Sequence, residues 1–440
     1  MLQVMPIMRA IVHDLPVPPG LRVTDAVPAT QLPGYPDPTA RETGDRMTHS
    51  ANARYRGIRS IAADRAFRAV ATSALMVILA LPAAASAAPK GVFGWGLNPA
   101  GALGNGTEMA TNVPVKAKVL TAAAQLTASR FSSIARLSNG TVEDWGSNEY
   151  GELGNGTTTK SLEPEPVPSL AGVKKVAAGS THVIALLSNG TVVAWGNGVS
   201  GQLGDGAETG SDVPVTVSGL TNVKAIAAGG STNLALLKNG TVMSWGYNSH
   251  GQLGDGNVGT DALVPVPVKG LTKVKAIAEG GFFGLAVVGK GTVEAWGAGS
   301  NGELGDGSTE DSDIPVPVNG LSGVKTVAAG GYHSLALLTT GTVKSWGYNC
   351  CGQLGNGSLV NSDEPVTVTG LSGVTAIAAG NAHSLARLSN KTVESWGANQ
   401  YGELGNGTNI NSDIPTLVSG LTGIAVIGSG TESNFSLAAT

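Results

Sequence analysis

Seven Trp-Gly pairs recur along the chain at a nearly constant interval, and no other feature limits the fold as strongly. The step between neighbouring tryptophans is 50 residues five times and 51 once, for Trp95, Trp145, Trp195, Trp245, Trp296, Trp346 and Trp396. Each period also carries a Gly-x-Leu-Gly-Asn/Asp-Gly box six residues after its tryptophan, at 101–106 first and 402–407 last. A unit of this size cannot bury its apolar side chains alone, so neighbouring units must stack.

Each period is predicted to form four short strands. In the third unit, apolar runs at 223–228, 233–237 and 241–245 are separated by glycine and asparagine and lack helical spacing. An Asn-Gly pair after the second run suits a tight hairpin turn. The segment 264–268 contains two prolines, which cannot donate to a β-ladder and therefore belong on a sheet edge. Four antiparallel strands per unit predict one blade of a β-propeller, and 64 glycines supply the turns.

The count of units at the two ends predicts an all-β, seven-bladed β-propeller that is closed. The Trp-Gly strand occurs seven times from Trp95, and the strand that ends in Ala-Ala-Gly or a variant occurs seven times and ends at 427–430. In register, Thr440 takes the place of the first turn residue of a hairpin and Lys90 that of the second. We therefore expect the C-terminal strands to pair with the N-terminal strand, which removes exposed strand edges.

The repeated motifs resemble those of the regulator of chromosome condensation family. The resemblance rests on segments such as 327–337, 341–347 and 352–355 and extends over residues 90–440. It implies a seven-bladed propeller. That family includes a nuclear exchange factor for a small GTPase, ubiquitin-ligase subunits, a plant ultraviolet photoreceptor, and secreted bacterial propellers, one of which inhibits β-lactamases. Similarity of fold does not choose among these functions.

Residues 47–87 are predicted to be an export signal. An apolar core of 13 residues at 69–81 follows five arginines and precedes the small residues Ala85, Ser86 and Ala87, which fit a cleavage site. The core is short for a membrane span. We expect a secreted or cell-surface protein of bacterial type, free of the membrane after cleavage. An uncleaved anchor and a buried amphipathic helix are the alternatives.

Residues 1–46 fit neither the signal nor the repeats. They contain eight prolines and no periodicity, and export signals are normally N-terminal. They are predicted to be a disordered segment, or an extension that is not translated because synthesis starts at Met47. The propeller is assigned to residues 88–440.

The charge of the chain argues against nucleic acid as a partner. Of 27 Lys and Arg and 31 Asp and Glu, 9 basic and 6 acidic residues precede Ala88, which leaves 18 basic and 25 acidic residues in the propeller, a net charge of −7. Binding to phosphates requires clustered Lys and Arg, and the sequence has neither a basic tail nor a basic stripe.

Most repeated polar and aromatic positions are predicted to be structural. One tryptophan per blade indicates a core residue, with an aromatic array like the photoreceptor's as the alternative. Asp and Asn interchange in the glycine box, which indicates a side chain that caps its own turn rather than a calcium ligand. Three histidines on separate blades are expected to bond to neighbouring backbone, without metal or cofactor. They are His182, His333 and His383, at a position held elsewhere by Ser132, Thr232, Phe283 and Ser433.

The two cysteines, Cys350 and Cys351, are adjacent in a loop. In an oxidising compartment they are candidates for a strained vicinal disulfide that would stiffen this loop, with two free thiols as the alternative.

The sequence predicts binding rather than catalysis. No nucleophile, base and orienting residue occur together in a stretch that departs from the repeat. Aromatic departures in the loops are candidate contacts for an unidentified protein, with packing between blades as the alternative. They are Tyr150, Tyr247, His250, Phe282, Phe283, Tyr332, Tyr348 and Tyr401. We expect a monomeric, exported scaffold that inhibits an extracellular enzyme. The alternatives are an exchange-factor-like regulator of a small GTPase and a metal-dependent lyase or hydrolase.

Overall fold

A computed structural model of the chain describes residues 91–120, 123–168 and 170–440. The predicted export signal at 47–87 and the segment 1–46 lie outside these described residues. Within the described ranges, no helix has the length and apolar character needed to cross a membrane.

The described residues form seven four-stranded antiparallel sheets, each of which is one blade. The described part of the chain begins in the seventh blade with β1 (Val92–Gly96) and β2 (Thr111–Lys116). Blade 1 contains β3 (Gln125–Ala128), β4 (Ser132–Arg136), β5 (Val142–Gly146) and β6 (Ser161–Pro166). Blade 2 contains β7 (Val173–Ala178), β8 (His182–Leu187), β9 (Val192–Gly196) and β10 (Ser211–Thr216). Blade 3 contains β11 (Val223–Gly229), β12 (Thr232–Leu237), β13 (Val242–Gly246) and β14 (Ala262–Pro267).

The remaining blades repeat this order. Blade 4 contains β15 (Val274–Glu279), β16 (Phe283–Val288), β17 (Thr292–Gly297) and β18 (Ser312–Pro317). Blade 5 contains β19 (Val324–Ala329), β20 (His333–Leu338), β21 (Val343–Gly347) and β22 (Ser362–Thr367). Blade 6 contains β23 (Val374–Ala379), β24 (His383–Leu388), β25 (Val393–Gly397) and β26 (Ser412–Leu417). Blade 7 is completed by β27 (Val426–Gly428) and β28 (Phe435–Ala439).

The ring closes within blade 7, which confirms the predicted seven-bladed propeller. The strand order of this sheet is β2-β1-β28-β27, so β1 and β28, the first and last of the described strands, are neighbours. They pair over five residues, from Val92 opposite Ala439 to Gly96 opposite Phe435. The innermost strand of every blade lines a central channel of about 300 Å³. The proline-containing strand is at the outer edge of each sheet, as predicted.

The register of blade 7 differs from the prediction by two residues. Gly428 pairs with Leu437, nine residues later, whereas Ala378 of blade 6 pairs with Leu385, seven residues later. The loop between β27 and β28 therefore contains two extra residues. Phe435, rather than Ser433, takes the position of the histidines, because it lies opposite Gly96 as those side chains lie opposite their Trp-Gly glycines. Thr440 consequently falls two places before the predicted turn position.

Each tryptophan joins its blade to the preceding one. All seven indoles are fully buried, and each Nε1 donates a hydrogen bond of 2.7–3.1 Å to a carbonyl oxygen in the glycine box of the preceding blade. The bond from Trp95 to the Glu403 carbonyl closes this series around the ring. The box glycine allows the close approach. At Gly355, φ is +64°, and a Cβ atom would lie 2.7 Å from Nε1 of Trp396.

The loops leave each blade at two opposite faces. In an antiparallel sheet of consecutive strands, the first-to-second and third-to-fourth connections lie at one end, and the second-to-third connection and the link to the next blade lie at the other. We call the first end the box face, because it carries the glycine boxes, and the other end the hairpin face. Asn and Asp of the boxes cap their own turns, as predicted. Asn105, for example, accepts a 3.1 Å hydrogen bond from the amide of Thr107.

Candidate functional site

Four of the predicted contact residues form a continuous aromatic row on the box face. His250 of blade 3 contacts Phe282 of blade 4 edge to face, with ring centroids 5.6 Å apart. Phe282 lies 6.2 Å from Tyr332 of blade 5, and Tyr332 lies 6.4 Å from Tyr348 of the same blade. We call these four residues the aromatic row. Tyr332 is 41% exposed and the His250 side chain 44%, while Phe282 and Tyr348 are partly buried, so the row reaches solvent mainly through its residues in blades 3 and 5.

Carboxylates lie near two residues of the aromatic row, His250 and Tyr332. Asp311 of blade 4 accepts a hydrogen bond from Nδ1 of His250 at 2.8 Å, and its other oxygen accepts one from the amide of Gly299 at 2.9 Å. Burial and the nearby carboxylates of Glu432 and Glu303 raise the pKa of Tyr332. Glu432 belongs to the lengthened loop of blade 7, which therefore approaches blade 5 at the channel mouth. The backbone of Thr431 in that loop also lies beside Gly331.

Two of the loops that carry the row, those of His250 and Tyr348, are held by buried asparagines. Asn349, fully buried, accepts a 3.0 Å hydrogen bond from the amide of Leu354 and donates to the carbonyls of Ser358 and Val360 at 2.8 and 3.0 Å. Asn248 makes the equivalent bonds behind His250. A side chain that ties both ends of a loop keeps its exposed residues in place before any partner arrives.

The other predicted contact residues lie elsewhere. Phe283 is 1% exposed and packs in the core between blades 4 and 5, which corrects its assignment as a contact, because the alternation of side chains along β16 turns it inward. Tyr150 and Tyr401 are exposed on the box face in blades 1 and 6, and Tyr247 is partly buried in blade 3. Among the described aromatic pairs, none links these three tyrosines to the aromatic row.

One aromatic residue of the same class escaped the sequence analysis. Phe131 of blade 1 stands at the repeat position of Phe282 and Tyr332, and the guanidinium carbon of Arg130 lies 5.1 Å from its ring centroid. Alignment of the loops by blade would have found it.

Both cysteines are free thiols beside the aromatic row, with their Sγ atoms 2.7 Å apart. A hydrogen bond with Cys350, together with burial, raises the pKa of Tyr348 to about 12. Burial and the hydrogen bond with Cys350 raise the pKa of Cys351 to about 12, so its unreactive thiol form prevails at neutral pH. A disulfide between the two stays a prediction.

The three buried histidines bond to the next blade rather than to neighbouring backbone. His182 Nε2 lies 2.8 Å from Oδ1 of Asn233, whose amide nitrogen donates to the Gln202 carbonyl, so Oδ1 must accept and Nε2 carries the proton. The same bond joins His333 to Ser384 at 2.9 Å and His383 to Ser436 at 2.8 Å. The repeat pattern describes one blade and does not show which side chain of the next blade faces it.

Burial of these histidines makes the stability of the propeller sensitive to acid. Burial lowers the pKa of His182 and His383 to about 4, and burial together with His383 lowers the pKa of His333 to about 3. Because the unfolded chain binds protons first, this contribution to stability is complete above pH 6.5 and is lost as the pH falls toward the folded values.

We expect His333→Phe to reduce the loss of stability in acid. Phe283 and Phe435 occupy this position in blades 4 and 7, so the fold accommodates a phenyl side chain there. Between pH 7 and pH 4 the free energy of unfolding should fall less than in the unmodified protein, by on the order of 3 kcal/mol. Urea unfolding at the two pH values measures this difference. Equal losses in both proteins would contradict it, and between pH 7 and 8 their slopes should agree.

A buried carboxyl group departs from the repeat in the wall of the channel. Glu279 is 3% exposed, and both carboxylate oxygens lack a hydrogen-bond partner among the described residues. Burial raises its pKa well above 4.5. Five of the six other blades have alanine at this position, namely Ala128, Ala178, Ala228, Ala329 and Ala379. In the described part of the chain, no three His, Cys, Asp or Glu side chains converge as a metal site would require.

The two faces of the ring carry opposite charges. The loops of the box face contain thirteen acidic residues against Arg130 and Lys160, and the acidic ones are Glu108, Glu149, Glu152, Asp205, Glu208, Asp255, Asp261, Glu303, Asp306, Glu310, Asp311, Glu403 and Glu432. The described loops of the hairpin face contain no acidic residue and six lysines, namely Lys118, Lys238, Lys269, Lys273, Lys290 and Lys391. The net charge of the sequence does not reveal this division.

Comparison with known families identifies the repeat. The profile described as "Regulator of chromosome condensation (RCC1) repeat" matches residues 139–186, 189–236, 239–287, 290–337, 340–387 and 393–438, which is well over half of the chain. A second profile of the same description matches 173–202, 223–252, 324–353 and 374–403. No protein of curated function matches the sequence significantly.

Solved structures with the same fold are distant in sequence. Prp20p from Saccharomyces cerevisiae is 24% identical with a TM-score of 0.69, and the alignment covers 80% of this chain and 92% of Prp20p. Human WBSCR16 is 24% identical with a TM-score of 0.71, over 79% of this chain and 98% of that one. At this identity the likeness extends to the fold alone.

Proposed function

Because the chain belongs to the regulator of chromosome condensation (RCC1) repeat family, we propose that it is a non-enzymatic propeller that binds another protein through its box face. The aromatic row carries this proposal. Large aromatic side chains that lie together on a rigid surface are the usual anchors of protein interfaces. His250, Phe282, Tyr332 and Tyr348 meet this condition, because buried Asn248 and Asn349 hold two of the loops that carry them.

We further propose that the protein acts outside the cytoplasm, as an inhibitor of an extracellular enzyme. The export signal predicted from residues 47–87 and the resemblance to secreted propellers support this location. The alternative is an exchange-factor-like regulator. Prp20p, which shares the fold, has binding properties toward Gsp1p and histones, and Kap60 binds to it. Faster release of nucleotide from a small GTPase would favour this alternative.

Site-specific photo-crosslinking in cells tests the proposal. With a benzoylphenylalanine at position 332 of the full chain, we expect one discrete protein adduct, and Phe282→Ser should lower its yield about fivefold or more because an anchor is lost. The matched control places the same residue at position 290, on the hairpin face. An adduct at 290 alone, or at neither position, would contradict use of the box face.

Cell fractionation and N-terminal sequencing of the protein from the same cells test where it acts. We expect it in the medium or cell envelope, with an N-terminus at Ala88. A cytoplasmic product that retains Met47 or Met1 would overturn export but not binding.

A further inference from the structure

We propose that the partner presents an arginine-bearing protein segment to the aromatic row. This inference rests on the proposed function, because it names the chemistry of the partner at the same surface. It follows from three observations on the box face. The side chains of the aromatic row reach solvent, carboxylates lie near two of them, and Arg130 of this chain already lies over Phe131, which stands at the same repeat position as two residues of the row.

The charges on the box face favour a cationic partner. The box face carries thirteen acidic residues against two basic ones, and Lys160, one of the two, is paired with Glu108. Asp311 lies directly on the row through its contact with His250, and Glu432 acts on Tyr332 from the lengthened loop of blade 7. An anionic partner would be repelled by this field, whereas a cationic one is attracted to it and is oriented by it.

The aromatic rings select arginine among the cations. A guanidinium group is planar, stacks on aromatic faces and binds carboxylates with two parallel hydrogen bonds, whereas an ammonium group acts as a point charge. Blade 1 contains an internal example of this arrangement. The guanidinium carbon of Arg130 lies 5.1 Å from the ring centroid of Phe131, which stands at the repeat position of Phe282 and Tyr332. Blades 4 and 5 have glycine, Gly281 and Gly331, where blade 1 has Arg130, so their rings lack an arginine of their own.

The repeat supplies a substitution that removes charge and preserves structure. Asn361 and Asn411 occupy the position of Asp311 in blades 5 and 6, and their Oδ1 atoms accept the same backbone hydrogen bond, from the amides of Asn349 and Asn399 at 2.9 and 2.8 Å. Asp311→Asn should therefore keep its bond to the Gly299 amide. Asp261 is the equivalent residue one blade away and accepts the bond from Asn248 at 3.0 Å. Asp261→Asn makes the same change in blade 3, where the carboxylate bonds to Ser200 of blade 2 and not to a residue of the row.

Binding of labelled peptides to the full chain tests the proposal. The probe is a decapeptide of alternating glycine and arginine, compared with peptides in which lysine or the uncharged citrulline replaces arginine. Fluorescence anisotropy at about 50 mM salt should give the order arginine, lysine, citrulline, with about tenfold between the first and last, and binding of arginine should weaken at about 300 mM salt. Equal binding of arginine and citrulline would overturn the proposal.

Matched double variants locate the site. Asp311→Asn with Glu432→Gln should weaken binding of the arginine peptide about fivefold or more, and Asp261→Asn with Glu149→Gln, which removes the same charge from the same face, should change it less than about twofold. Equal effects of the two would show attraction to the whole face and overturn the assignment to the row. If the adduct at position 332 forms equally well in the double variant of Asp311 and Glu432, the partner does not depend on these carboxylates. The arginine proposal is then wrong, and the proposed function stands. If no adduct forms while the arginine peptide binds selectively, the proposed function fails instead.

Discussion

Deletion of residues 435–440 is expected to abolish the folded ring rather than to loosen one blade. The deletion removes β28, which lies between β27 and β1 and contributes Phe435, Leu437, Ala438 and Ala439 to the core, each at most 1% exposed. Burial of the two large side chains alone is worth about 3–6 kcal/mol, and backbone pairing over five residues with β1 and three residues with β27 is added to it. The total approaches the stability of a typical domain.

Near-UV circular dichroism and thermal unfolding measure this loss, because the seven buried indoles report on packing. The truncated chain should lack a cooperative transition, and a synthetic peptide of residues 431–440 added in trans should restore it. The matched control removes only Thr440, whose amide donates a hydrogen bond to the Gly91 carbonyl at 3.2 Å and whose hydroxyl accepts one from the Gly91 amide at 3.0 Å, and should cost about 1–2 kcal/mol. A truncated chain that unfolds at the original midpoint would show that the blades stand without closure.

Replacement of Glu279 by alanine is expected to stabilise the ring. A buried carboxyl group without a hydrogen-bond partner costs free energy, and five blades with alanine at this position show that the backbone needs nothing larger. Glu279→Ala should raise the free energy of unfolding by about 2–4 kcal/mol at pH 8. Chemical denaturation measures it.

The pH dependence of this gain has a definite sign. Burial raises the pKa of folded Glu279 above the unfolded value of 4.5. The buried carboxyl group therefore costs the wild-type propeller the least free energy below pH 4.5, and the propeller loses stability as the pH rises toward the folded pKa. The advantage of the variant should therefore grow from pH 4.5 upward, opposite in direction to the effect of His333→Phe. Glu364→Ala, which removes an exposed carboxylate from β22, is the control and should give a small difference at every pH. A variant with the same advantage at pH 4 and pH 8 would contradict this account.

The fold could be predicted from the sequence because every blade repeats the elements that define it. Each Trp-Gly strand needs a box glycine in the preceding blade to admit its indole, so the two motifs recur together and their count equals the number of blades. The closure followed from the same count. The register at the closure did not, because counting from Gly430 assumed a loop of standard length and placed Ser433 where Phe435 lies.

The candidate site was predictable in its members but not in its arrangement. His250, Phe282, Tyr332 and Tyr348 stood out as departures from the repeat, yet their contact depends on how neighbouring blades are rotated, which no single period encodes. Phe283 adjoins Phe282 in sequence but points into the core. Glu279 was visible in principle, since it is a carboxylate among alanines. The division of charge between the faces required the topology that assigns each loop to an end of its sheet.

The lengthened loop of blade 7 also makes the blades unequal as binding surfaces. Seven near-identical blades would offer a partner seven equivalent positions around the propeller axis, and several partner molecules could bind at once. The aromatic row spans only blades 3 to 5, and Glu432 approaches it from a single direction. For the proposed partner, one orientation is therefore favoured over the other six, and we expect one bound molecule per propeller.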